Sequence, residues 1–208
     1  IADSSNNLYI TGYTYLGLDG NTSAGLYDIF LVKYNSSGQK QWTEQLGTTD
    51  HDYPYGVTVD SSDFIYITGV AAGGLDGNTH SGSGDMFLVK YNYGGTKQWT
   101  RQLGTDSSDI GQDVATDLSN NVYVTGYTSG DLDGNTNAGG TDIFLVKYNS
   151  SGTKQWTKQL GSSAKEEGRG VTVDSEGNIY VTGTTRGDLG GNTNAGVTDI
   201  FLVKYNSM

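Results

Sequence analysis

The chain has 208 residues, 34% of them apolar, with 32 glycines, one proline (Pro54) and no cysteine. A formal charge of −11 argues against a nucleic-acid surface, which needs clustered Lys and Arg against phosphate. The lack of cysteine removes disulfides, thiolate metal sites and cysteine nucleophiles together, and no apolar run approaches the ~20 residues of a membrane helix.

In chain order, LYITG at 8–12 alternates apolar with polar residues and predicts a strand. DIFLVKYN from Asp28 is a nearly unbroken apolar run, the pattern of a strand covered on both faces. KQWTEQL at 40–46 alternates more polar residues and suits an outer edge. GVTVD at 56–60 places Val57 and Val59 on one face, then a tight turn SSDF leads into IYITG at 65–69. MFLVKY at 86–91 and KQWTRQL at 97–103 follow, and the set returns with VYVTG and IYVTG. Tyr9, Tyr66, Tyr123 and Tyr180 fall 57 residues apart, as do Asp28, Asp85, Asp142 and Asp199. No insertion breaks this register.

A repeating unit of this kind cannot bury its own apolar face and stacks on copies of itself. Four short antiparallel strands per copy with Gly-rich punctuation predict an all-β fold of β-propeller blades, each a four-stranded meander. The chain reads as a single domain, 1–208, with repeats of approximately 1–55, 56–112, 113–169 and 170–208. Strand parity then sorts the connections. The short turns SSDF and NYGGT share one rim, and the long segments VAAGGLDGNTHSGSGD and GTDSSDIGQD share the other, where binding on a rigid scaffold is expected.

The string DSEGNIYVTG, together with GDLDGNTNAGGTDIFLVKYNSSGTKQWTKQLG of the third copy, resembles the bacterial and archaeal β-propeller repeat known as the SBBP family. The resemblance covers essentially the whole chain. It implies a propeller, commonly seven-bladed, in secreted or cell-surface proteins, and implies little about chemistry. The chain departs from a complete ring at its seam. Trp42, Trp99 and Trp156 have no fourth partner, the first copy has IAD where the second and fourth have GVTVD, and about 20 residues are missing from four full copies. The expectation is a fragment of a longer propeller or a protomer that associates with further blades or a second copy, two halves making an eight-bladed ring.

The recurring LDGNT segments bring Asp19, Asp76 and Asp133 with Asn21, Asn78 and Asn135 near Asp28, Asp85 and Asp142, and the third copy adds Asp131. These hard oxygen donors are of the kind that holds calcium, the one cofactor indicated, although D-G-N-T equally suits a tight turn. Asp60, Asp117 and Asp174 are expected to cap the turns they precede. The most variable segment carries His51, Tyr53, Tyr55, Asp109, Glu166 and Glu167, candidates for a glycan or protein ligand on the long-loop rim. Two histidines, His51 and His80, and the absence of a G-x-S-x-G elbow, P-loop or H-E-x-x-H leave little for catalysis. The acidic residues mostly recur in every copy, as scaffold does. The expected function is a non-catalytic extracellular module, structural, adhesive or protein-binding. The alternative is a carbohydrate-binding propeller with one weak site per blade.

Overall fold

The computed structural model describes residues 1–206. Four antiparallel sheets follow one another along the chain. The first joins β1 (Leu8–Thr14), β2 (Asp28–Tyr34) and β3 (Lys40–Leu46); the second joins β4 (Asp52–Val59), β5 (Ile65–Ala71), β6 (Asp85–Tyr91) and β7 (Lys97–Leu103). The third joins β8 (Asp109–Thr116), β9 (Val122–Thr128), β10 (Asp142–Tyr148) and β11 (Lys154–Leu160); the fourth joins β12 (Glu166–Val173), β13 (Ile179–Thr185) and β14 (Asp199–Tyr205). Every neighbour in a sheet is consecutive in sequence, so each unit is a meander, and the fold is the expected β-propeller blade.

The core lies between sheets. Ile29 and Leu31 of the first blade meet Ile65, Ile67, Phe87 and Val89 of the second, and Met86 and Leu88 meet Val122, Val124 and Phe144 of the third. Each such side chain contributes roughly 1.5–3 kcal/mol on burial, so blade stacking, rather than any single blade, supplies the apolar driving force. Strand β6 is buried along its whole length, as its apolar run predicts. Strand β14 has the same pattern but alternates between exposed and half-buried residues, because no further blade lies against it.

Two polar devices recur along the chain, one in every unit and one between successive blades. Tyr66 donates its hydroxyl to Asp60 Oδ2 at 2.9 Å, while Asp60 Oδ1 accepts the backbone N–H groups of Ser62 and Phe64. Asp3, Asp117 and Asp174 repeat the arrangement with Tyr9, Tyr123 and Tyr180. The second device crosses between blades. Lys33 and Lys90 donate to the backbone carbonyls of Tyr93 and Ser150 in the next blade's outer turn.

One boundary differs from its expectation. The innermost strand starts at Asp52, four residues before GVTVD, and carries a bulge between Pro54 and Gly56. The bulge and polar residues break the alternation that would have shown the strand's start. Tyr53, Tyr55, Asp109, Glu166 and Glu167 are therefore strand residues, not loop residues.

Candidate functional site

The LDGNT segments are built as turns. Asp19, Asp76 and Asp133 adopt positive φ of 52–55°, and their carboxylates pair with Lys40, Lys97 and Lys154 of the outer strand. Asn21, Asn78 and Asn135 donate to the carbonyls of Leu18, Leu75 and Leu132 three residues back. Asp131 Oδ1 accepts the N–H of Asn137 within its own loop. Asp28, Asp85 and Asp142 turn elsewhere: each Oδ2 accepts a loop backbone N–H and the side-chain amide of Gln45, Gln102 or Gln159. Among the described residues no three His, Cys, Asp or Glu side chains converge where a metal could sit. The ten candidate calcium ligands are thus dispersed over lysine pairs, turn carbonyls and backbone or glutamine amides, because these groups close the loop on itself.

Asp28, Asp85 and Asp142 lie at the junctions between blades. At the first, the N–H of Asp52 donates to the carbonyl of Tyr27 at 2.8 Å, which sets Asp52 beside Asp28. Both carboxyls are fully buried, and Asp28 Oδ1 and Asp52 Oδ1 have no hydrogen-bond partner. Burial first, and then the like charge of Asp28, push Asp52 up to about 6 against the donors on Thr48. The corresponding Asp109 and Glu166 accept hydroxyl bonds from Thr128 and Thr185, whereas the matching position in the second blade is Ala71. Asp109 and Glu166 are 0% exposed, so these two candidates for ligand contact are interior struts of the junctions.

His51, Tyr53, Tyr55 and Glu167 do reach the surface. The inner strands differ most in what they present there: Tyr55, Gln112 and Arg169 are equivalent positions, with Arg169 Nη1 donating to Gln112 Oε1 at 3.1 Å. Glu167 is held between Lys165 and Arg169, which keep its carboxyl below the usual range against the opposing effect of its burial. At the junction of the first and second blades His51 and Tyr53 join three tyrosines that sequence spacing did not single out. Tyr27 packs 5.3 Å from His51 and from Tyr13, 5.6 Å from Tyr15 and 5.8 Å from Tyr53, centroid to centroid. Tyr13 meets Tyr53 edge-on at 5.0 Å, and the Tyr53 hydroxyl lies 3.3 Å from His51 Nδ1. The available signal was that Tyr13, Tyr15 and Tyr27 stand where the second copy has Val70, Ala72 and Gly84.

The model of the SBBP family, described as a beta-propeller repeat, matches residues 41–76, 98–133 and 155–191. Among curated proteins the chain is similar to an uncharacterized WD repeat-containing protein of Acanthamoeba polyphaga mimivirus, 27% identical over 190 residues that cover 76% of this chain and 14% of that protein. It is also similar to the regulatory protein FlaEY of Caulobacter vibrioides, 28% identical over 196 residues that cover 82% of this chain and 20% of that protein. The chain spans a fifth or less of these curated relatives. With the blade seen in the sequence, in the sheets and in three family matches, the chain belongs to the SBBP beta-propeller repeat family.

Proposed function

We propose that this chain is a non-catalytic, repeat-based scaffold for protein interaction, which takes further blades, from adjoining chain or from a second copy, at its two end faces. The carrying observation is the contrast between equivalent residues. Ile200 and Leu202 of β14 are 88% and 70% exposed, while Met86 and Leu88, their equivalents in the second blade, are 0% exposed beneath the next blade. At the opposite end Leu8 and Ile10 are open where Ile65 and Ile67 are buried. The first face is thus shaped to receive what the last face offers, by the same geometry that joins the internal blades. Contiguous apolar surface of this kind marks an association site. The WD-repeat relative favours the scaffold reading, and the acidic residues support a non-catalytic one because most are bonded identically in successive copies. Placement in a secreted or cell-surface protein rests on the family resemblance and is tested by fractionating cells that make the parent protein.

Sedimentation velocity tests the assembly. Concentration-dependent association is expected, and replacing Ile200 and Leu202 together by Lys should reduce it to monomer. A wild-type chain that stays monomeric throughout refutes association through the end faces.

A further inference from the structure

We propose that the cluster of Tyr13, Tyr15, Tyr27, His51 and Tyr53 is a binding platform for a neutral saccharide. The inference stands apart from the scaffold reading, because it uses the long-loop rim of one junction and neither end face. Its first support is that blade packing does not demand these rings. At the second junction Tyr27, His51 and Tyr53 are replaced by Gly84, Ser108 and Ile110, and at the third by Thr141, Lys165 and Glu167, with the parallel bridge intact at each. These three rings are therefore surplus to the fold, and the second blade also does without Tyr13 and Tyr15, having Val70 and Ala72 in their places.

The second support is shape. Tyr27 is half-buried, and Tyr13 and Tyr15, 55% and 57% exposed, stand at 80° and 64° to its ring. His51 and Tyr53 are nearly parallel, at 6°. The rings are locked against one another, so little side-chain freedom remains to be lost on binding, which is the advantage tyrosine brings to recognition surfaces. A pyranose presents a C–H face that packs on an aromatic ring and a rim of hydroxyls that exchange hydrogen bonds with phenols. The cluster offers both kinds of contact. The third support is charge: a chain at −11, with Asp50 exposed beside His51, disfavours uronic acids, sulfated sugars and nucleic-acid bases carried on phosphates. A neutral sugar meets no such opposition.

Isothermal titration calorimetry of the full chain with neutral hexasaccharides of β-1,4-glucose, β-1,4-N-acetylglucosamine, β-1,4-xylose and α-mannose tests the assignment. At least one should bind, at one site per chain rather than one per blade. Tyr13→Val with Tyr15→Ala, which install the residues of the second blade, should weaken it at least tenfold with an unchanged melting midpoint. Tyr15→Phe should retain most of the binding, and Tyr93→Ala on the opposite rim all of it. Absence of binding to every neutral probe, binding only to a galacturonate hexamer, several equal sites per chain, or binding untouched by the double variant overturns the proposal. So does a protein ligand captured through these tyrosines without any saccharide binding.

Discussion

Burial raises the folded pKa of Asp52 into a range where folding stability reports its ionisation. Its folded pKa, about 6, lies above the ordinary aspartate value of 3.8, so the fold binds its proton more tightly than the unfolded chain does. The stabilisation from this group is fully present below about pH 4 and is lost as pH rises through 6, on the order of 3 kcal/mol in total. Asp3, Asp117 and Asp174 have lowered folded pKa values, held down by their turn and tyrosine hydrogen bonds, and act oppositely, losing stability as pH falls below 4. Burial also raises the folded pKa values of Glu44, Asp85 and Asp113, so urea unfolding between pH 4 and 7 should show a decline with rising pH that Asp52→Asn makes shallower. Ala71→Thr should supply the hydroxyl that Thr128 supplies to Asp109, raising stability at pH 7 by about 1 kcal/mol and flattening the same slope. Little of this was legible in sequence. The Asp and Tyr six residues apart were visible as a repeat, but the orphaned oxygen of Asp52 depends on position 71, which only strand pairing brings alongside it.

At the scale of elements, the strands were readable where alternation was strong and unreadable where a bulge interrupted it. LYITG, DIFLVKY and KQWTEQL give the middle and outer strands directly, while the inner strand's first residues look like loop because they face a neighbouring blade or the surface in irregular order. The outer turn shows how an element is specified by its neighbour. A Cβ on Gly95, at φ +86°, would lie 3.1 Å from Trp42 of the preceding blade, whereas one on Gly38, at φ +74°, meets nothing within 4 Å. Gly38→Ala should cost about 1 kcal/mol from the left-handed backbone alone. Gly95→Ala should cost at least about 1 kcal/mol more in the same denaturant assay, because the turn must also lift off the tryptophan. Equal costs would show that the turn does not seat on Trp42. The LDGNT turns carry a third expectation. Since Asp19, Asp76 and Asp133 are neutralised by lysines, thermal melts with excess calcium and with chelator should coincide, and a midpoint raised by calcium would restore the metal reading.

At the scale of the molecule, the 57-residue period determined the blade, the number of copies and the class of fold, because a repeated amphipathic meander has one economical way to cover its faces. The period also identified most conspicuous residues as scaffold, and the structure gives each a bond that recurs from blade to blade. Site chemistry was legible only in part. His51, Tyr53 and Tyr55 stood out by composition, whereas Asp109 and Glu166 were drawn into the same set and are buried struts. Tyr13 and Tyr27 lie up to 40 residues from Tyr53 along the chain and meet it only because adjacent blades converge at one rim, and Tyr15 joins them through Tyr27. Sequence by itself thus fixes whatever depends on local periodicity. Tertiary structure alone decides which side chains from different copies share a junction, because that contact is made by stacking between blades and leaves no periodic trace within either one.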